Sequence, residues 1–216
     1  LPRIAYCEKE LCLFLNKHKS IQYVLLGAGM DTFSFRNSDK NIEIFELDHP
    51  LTQKYKLEKI KQANLEIPEN VHFAPINFEN ENIKDVLQQF DFDFEKPTFF
   101  SLLGVTYYLN LKSFENTVKN LSNLSNKAIE FVFDYPDETT FEIKRSKLLA
   151  KITDLFGEPM KKGFSYQNFE KLFEKYGFKI ENHFTPDDIQ NKYLKNKEHR
   201  LNAFENVHFM TIAKEK

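Results

Sequence analysis

The chain has 216 residues, of which 41% are hydrophobic and 29% charged, which is typical of a globular domain with a substantial buried core. Its net charge of -2 argues against nucleic acid as the main partner, because domains that bind nucleic acid usually carry a basic excess. No apolar run approaches the roughly 18 residues of a membrane helix, and Cys7 and Cys12 are too few for a disulfide scaffold. We therefore expect a cytoplasmic protein that does not contact a membrane.

Helical and strand patterns alternate along the chain. In order, they predict a helix over Arg3–Lys17, strands over Ile21–Leu26 and Ile42–Leu47, a helix over Leu51–Ala63, a strand over Val71–Ile76, a helix over Asn82–Phe90 and a strand over Thr98–Leu103. They then predict a helix over Leu111–Leu124 capped by Asn110, a strand over Ala128–Asp134, a helix over Thr140–Phe156, a helix over Tyr166–Tyr176 capped by Ser165, a strand over Phe178–Phe184, a helix start at Thr185 and a strand over Val207–Ala213.

This alternation predicts an α/β sheet with right-handed crossovers, in a single domain covering residues 1–216. The chain begins at Leu1 and not at Met, so we expect that part of an N-terminal segment is missing from it. In such sheets, ligands bind beyond the carboxyl ends of the strands, at the point where the strand order reverses. The residues that follow each strand are therefore the candidates for a functional site.

A glycine-rich turn, Gly27-Ala28-Gly29, follows the first strand. Alone it predicts only a tight turn, and Thr32 stands where a dinucleotide-binding loop would have its third glycine. Asp48 ends the second strand, where an acid can accept hydrogen bonds from both ribose hydroxyls. A ribose without a strong phosphate site suits S-adenosylmethionine (SAM), and Arg36 could pair with the carboxylate of its methionine tail. On spacing alone, Asp48 could equally be a helix-capping residue, and Arg36 a surface arginine.

Four ordered motifs resemble those of the leucine carboxyl methyltransferase family. They are QYVLLGAGMDTFSFR (residues 22–36), IFELDHPLTQKYK (44–56), HFAPINFEN (72–80) and PTFFSLLGVTYYLN (97–110). The segment LPRIAYCEKEL (1–11) is similar to the arginine-bearing helix that precedes the first motif. The resemblance covers about residues 1–136. It implies a Rossmann-like class I SAM-dependent methyltransferase, with a seven-stranded, mostly parallel sheet and an antiparallel C-terminal strand pair.

The resemblance also implies which residues bind the cofactor. Gly27, Ala28 and Gly29 would pass under the methionine part of SAM, Asp48 would hold the ribose, and Arg3 would reach the SAM carboxylate. Asp31 and Thr32 match the family and are expected to shape the loop.

Two positions depart from the family pattern. Asn77 stands with Phe78 beside the expected adenine, where relatives usually have Asp. Its amide oxygen could still accept a hydrogen bond from the adenine amino group. Leu103 stands where many relatives carry a Glu next to the SAM amino group, and leucine cannot make that contact. Leu103 is nevertheless included among the residues expected to line the cofactor site.

The expected reaction is methyl transfer to an oxygen, either a carboxylate or a hydroxyl, of a small molecule or, less favoured, of a protein C-terminus. A carboxylate acceptor needs no general base because it is ionised at neutral pH, whereas a hydroxyl would gain from one. Tyr107 and Tyr108 are the candidate catalytic residues, although both could be core aromatics instead. The six histidines show no spacing typical of a metal site, and His49 alone lies near the predicted cofactor site.

Two alternatives remain open at this point. The departures at Asn77 and Leu103 are compatible with a catalytically weak SAM-binding protein of the same fold. A nucleotide-dependent oxidoreductase is less favoured because of Thr32.

Overall fold

A computed structural model describes residues 2–78, 80–142, 147–148, 161, 163–195 and 201–215 of the chain. Seven strands form one sheet: β1 (Ile21–Leu26), β2 (Ile42–Asp48), β3 (Val71–Pro75), β4 (Thr98–Leu102), β5 (Ile129–Pro136), β6 (Lys179–Phe184) and β7 (Val207–Lys214). Their order is β3-β2-β1-β4-β5-β7-β6. The first five strands are parallel, and β7 runs antiparallel to both of its neighbours, β5 and β6. The fold class predicted from the sequence is confirmed.

Seven α-helices lie in the described ranges. They are α1 (Pro2–His18), α2 (Phe33–Arg36), α3 (Pro50–Gln62), α4 (Ile83–Leu87), α5 (Leu111–Ser122), α6 (Tyr166–Lys175) and α7 (Pro186–Ile189). Short 3-10 turns cover Thr106–Tyr108 and Glu138–Phe141, and a π-helical turn, Gln190–Leu194, follows α7.

The helices cover both faces of the sheet and create two apolar cores. On one face, α4, α5 and α6 contribute to one core, in which the ring of Phe114 on α5 lies 5.0 Å from the rings of Phe133 and Phe169. On the other face, α1 buries its apolar stripe, including Leu11 and Phe14, against β1 and β4. The central strands β1, β4 and β5 are buried along their whole length, as expected for parallel strands covered on both sides.

The predicted helix ends follow local chemistry. The Asn110 side chain accepts from the backbone N–H of Ser113, and Thr185 forms a capping box with Asp188, so both predicted caps are confirmed. Ser165 is the N-cap residue of α6, as predicted, but its hydroxyl donates to Gln167 Oε1 and makes no capping bond to the backbone. The helix predicted over residues 140–156 lies mostly outside the described residues, and its first two residues end the 3-10 turn Glu138–Phe141.

Candidate cofactor site

The strand order reverses between β1 and β4, so their carboxyl ends open a crevice in which ligands bind in sheets of this kind. The glycine turn after β1 and the segment after β4 meet there. Gly27 has φ +69°, and an added Cβ would lie 2.7 Å from Val105 Cγ2. Glycine is therefore required at residue 27 by both its conformation and the close contact between the two segments.

Gly29 has a different environment. Its φ is +50°, and an added Cβ would meet nothing within 4 Å. The glycine turn therefore has open space on the side where a Cβ would stand. This combination of a left-handed backbone and a free surface is what a loop under a bound ligand requires.

Asp48 lies at the end of β2 beside the glycine turn. Its Oδ2 accepts a short hydrogen bond from the Gly29 N–H, and its Oδ1 accepts from the His49 N–H at 2.6 Å. A carboxylate has about four acceptor positions, so two backbone bonds leave room for hydroxyl donors. The cap of α3 is His49, whose Nδ1 accepts from the Leu51 N–H at 3.3 Å, and the carboxylate of Asp48 is thus not needed as a helix cap.

A buried ion pair between Lys56 and Glu46 lies beside the glycine loop and is bonded to its backbone. The Lys56 ammonium of α3 forms a short hydrogen bond to the Glu46 carboxylate of β2 and another, of 2.6 Å, to the backbone oxygen of Asp31. The Asp31 carboxylate in turn accepts from the Phe33 N–H at 2.7 Å, which starts α2. The expectation that Asp31 shapes the loop agrees with these contacts, whereas the supporting roles of Glu46 and Lys56 were not predicted.

Arg36 lies at the end of α2 and pairs with Glu8 of α1 at 2.5 Å. Its Nε also donates to the Thr32 hydroxyl at 3.1 Å. The two charged side chains are 46% and 33% exposed, so this is a surface pair. To bind a cofactor carboxylate, Arg36 would have to share its guanidinium with Glu8 or leave that pair.

Arg3 lies against the segment that follows β4. Its Nη1 donates to Asp134 Oδ2 at 3.2 Å, and an added Cβ at Gly104 would stand 2.8 Å from its Nη2. Asp134, near the carboxyl end of β5, is fully buried, and it also accepts from the Gly104 N–H at 2.6 Å and from the Tyr107 hydroxyl at 3.0 Å. Sequence reasoning identified the region after β5 but did not select Asp134.

The contact with Asp134 defines the chemistry of Tyr107. Burial, followed by the charge of Asp134, raises the pKa of Tyr107 well above its usual value. A hydroxyl that donates to a carboxylate and resists ionisation is a poor general base. Tyr108 follows in the same 3-10 turn and is half-buried.

The remaining predicted residues surround the crevice. Leu103 directly follows β4 and packs against the apolar core between α1 and the sheet. Asn77 and Phe78 follow β3; the Asn77 N–H donates to Glu81 Oε2 at 2.8 Å, and Phe78 is 44% exposed. An exposed ring after β3 is available for a planar ligand.

These residues fit SAM. There is open space beside Gly29 that could take the methionine part, the Asp48 carboxylate could accept from ribose hydroxyls, and the Arg3 guanidinium could pair with a carboxylate. In the described ranges, no group of three or more acidic, histidine or cysteine residues is arranged to hold a metal ion. Within the same ranges, no helix is both long and apolar enough to cross a membrane.

The sheet order, the glycine turn and the acid at the end of β2 are typical of one class of protein, the Rossmann-like SAM-dependent methyltransferases. The sequence model of the leucine carboxyl methyltransferase family matches residues 1–122. The chain is also 41% identical to YktD of Bacillus subtilis (strain 168), named as a candidate S-adenosyl-L-methionine-dependent methyltransferase. That alignment covers 99% of the chain and 72% of YktD. The chain belongs to the leucine carboxyl methyltransferase family.

Solved structures support the fold at low sequence identity. A DUF574 family protein from Streptomyces avermitilis superposes with a TM-score of 0.73 at 9% identity, covering 99% of this chain and 82% of that one. Magnesium protoporphyrin IX methyltransferase from Synechocystis PCC 6803, solved with bound S-adenosylhomocysteine, gives a TM-score of 0.57 at 10% identity, covering 98% and 82%. Family membership agrees with methyl transfer and gives no support to the oxidoreductase alternative.

Proposed function

We propose that the chain transfers the methyl group of SAM to an oxygen of a small molecule, with a carboxylate favoured over a hydroxyl. The observation that carries the preference is the hydrogen bond from Tyr107 to the buried Asp134. Tyr107 is the most plausible general base, but its hydroxyl already donates to Asp134 and is therefore not free to take a proton from an acceptor. A carboxylate is already ionised at neutral pH and can accept a methyl group without losing a proton.

When bound, SAM would supply a methyl carbon activated by its positively charged sulfur, and the acceptor oxygen would take this methyl group in line as the sulfur leaves as a neutral thioether. The protein contributes by orientation and by excluding water. Under this proposal, Asp48 fixes the ribose, the Gly27–Gly29 turn lies under the methionine part, and Arg3 holds the carboxylate. Asn77 and Phe78 flank the adenine, and Leu103 presents an apolar surface beside the tail. Arg36 is the second candidate for the carboxylate.

The first experiment identifies the kind of bond formed. The protein is incubated with methyl-labelled SAM and three sets of acceptors: small carboxylic acids, phenols, and peptides with a free C-terminal carboxylate. Methyl esters release labelled methanol in mild base, whereas methyl ethers and methylamines do not. Base-labile label on small acids supports the proposal. Base-stable label would show that the acceptor is a hydroxyl or a nitrogen.

A catalytically weak SAM-binding protein remains the second candidate, because Leu103 and Asn77 depart from the family pattern. Calorimetric titration with SAM and S-adenosylhomocysteine, run beside the labelled-methyl assay, separates the two. Binding in titration without turnover on any of the three acceptor sets favours the second candidate. The cytoplasmic location and the absence of a nucleic-acid partner stay predictions.

A further inference from the structure

The Asp134 carboxylate connects three parts of the crevice. Its Oδ1 accepts from the Gly104 N–H at 2.6 Å, and its Oδ2 accepts from Arg3 Nη1 at 3.2 Å and from the Tyr107 hydroxyl at 3.0 Å. The side chain is fully buried near the carboxyl end of β5. It therefore joins α1 to the segment after β4 through one negative charge that water does not screen.

Gly104 confines the same guanidinium from a second direction. Its φ is +75°, and a Cβ added there would lie 2.8 Å from Arg3 Nη2 and 3.1 Å from Arg3 Cζ. The flat guanidinium thus lies directly on the backbone of Gly104. The Arg3 side chain is still 43% exposed, so these contacts orient it without enclosing it.

Arg36 lacks this kind of support. It pairs with Glu8, and both side chains are about as exposed as Arg3. Exposed ion pairs of this kind are weak and leave the side chain free to adopt other rotamers. Of the two arginines near the crevice, Arg3 is the one paired with a fully buried acid.

We propose that Asp134 is a positioning residue, which holds the Arg3 guanidinium against Gly104 so that its other N–H groups can bind the carboxylate of the cofactor's methionine tail. The proposal rests on the SAM dependence described above. A guanidinium has five N–H donors in a fixed plane, so one bond to Asp134 leaves enough donors for a bidentate pair with a second carboxylate. Without Asp134, the Arg3 side chain would lose its conformational freedom only when the cofactor binds. This entropy cost would weaken binding of the methionine tail.

The test compares two ligands that differ in the tail. S-adenosylhomocysteine carries the carboxylate, whereas 5′-methylthioadenosine has the same nucleoside and no amino-acid group. Asp134→Asn should weaken binding of S-adenosylhomocysteine by about 10- to 100-fold and leave 5′-methylthioadenosine within about twofold, as measured by calorimetric titration. Arg3→Gln should show the same selectivity. The double variant should lose no more than Arg3→Gln alone, because both changes remove one interaction.

Two further variants provide an independent test and a control. Gly104→Ala keeps the Asp134 carboxylate but puts a Cβ where the guanidinium lies, and it also strains a backbone with φ +75°. If the variant folds, as circular dichroism would show, it should reproduce the selective loss even if Asp134→Asn does not fold. Glu115→Gln is the matched control. Like Asp134, Glu115 accepts from a cation and a tyrosine hydroxyl, Lys175 at 2.8 Å and Tyr176 at 3.0 Å, but it joins α5 to the C-terminal end of α6. It should leave both affinities unchanged.

Several outcomes overturn the proposal. Equal weakening of both ligands by a folded Asp134→Asn or Gly104→Ala variant would mean that these residues only support the fold. Selective loss with Arg36→Gln and not with Arg3→Gln would make Arg36 the carboxylate ligand. If the folded wild-type protein binds neither ligand, the cofactor assignment itself fails, and the positioning role fails with it.

Discussion

The buried Lys56–Glu46 pair beneath the glycine loop can be tested by one substitution, Lys56→Met. Methionine keeps an unbranched side chain of similar length but removes the ammonium. The variant loses the bond to the Glu46 carboxylate and the 2.6 Å bond to the Asp31 backbone oxygen. The two charged side chains are 5% and 1% exposed, so water cannot replace the lost partner.

Removing one member of a buried ion pair lowers the free energy of unfolding by about 3–5 kcal/mol, because the remaining charge is left without compensation.

This loss of stability should depend on pH. Burial raises the pKa of Glu46, and Lys56 is the main group that lowers it again. In the variant, the pKa of Glu46 rises further above its unfolded value. The folded variant therefore binds a proton that the unfolded chain releases, and its stability falls as pH rises through that window.

Urea denaturation at pH 7 and pH 5 measures both effects. We expect a loss of about 3–5 kcal/mol at pH 7 and a smaller loss at pH 5, where Glu46 can be neutral. Adding Glu46→Gln to Lys56→Met should recover part of the loss. The control is Lys59→Met in the same helix, since the exposed Lys59 ammonium makes only surface contacts in the described structure, with Gln62 Oε1 at 3.1 Å and with the Tyr55 ring at 5.2 Å. A loss below about 1 kcal/mol, or one that grows on acidification, would refute the reasoning.

Four further predictions concern the crevice. Asp48→Ala should weaken SAM binding by about 1–3 kcal/mol in calorimetric titration, and unchanged affinity would mean that Asp48 only orders the loop. Gly29→Val should abolish SAM binding, because its side chain would fill the open space above the turn, and should lower the melting temperature, because valine is strained at φ +50°; circular dichroism should still show a native fold. Tyr107→Phe should lower the free energy of unfolding by about 1–3 kcal/mol, since Asp134 loses a donor, and should not shift the pH profile of turnover. Leu103→Glu should lower the melting temperature of the free protein and enlarge the rise produced by SAM.

The features predicted correctly from the sequence are those set by short-range chemistry. A buried parallel strand is a short apolar run, and β1 shows this as IQYVLL. Gly27 and Gly29 mark a turn because both need a left-handed backbone, and Asn110 and Thr185 cap helices through their own side chains. Helix α2 was not predicted, because four residues are too few to show a helical pattern and Phe33 is fixed by packing into the core, even though the Asp31 carboxylate binds the Phe33 N–H locally.

Asp134 was missed because its role depends on distant parts of the chain. Its partner Arg3 is 131 residues away in sequence. Nothing in the local pattern FDYP distinguishes a buried aspartate with several hydrogen-bond partners from a solvated aspartate near a strand end. Glu46 did carry a usable signal. It is one of two glutamates in the run IEIFEL, and an acid buried in such a strand needs a cation from a neighbouring element. Lys56, on the helix that follows the strand, was the natural candidate.

Leu103 is the position where the family pattern and the geometry of this chain have to be considered together. It directly precedes Gly104, whose N–H is bonded to the Asp134 carboxylate, so a Glu at residue 103 would bring a second negative charge near a buried acid that already uses Arg3. Two such carboxylates disfavour each other's ionised form, and burying a new one without a partner costs free energy. Leu103→Glu should therefore destabilise the free protein. If the cofactor's ammonium lies beside residue 103, SAM supplies the missing cation and recovers part of the loss, which a thermal melt with and without SAM detects. A SAM-induced shift no larger than that of the wild type would place the ammonium elsewhere.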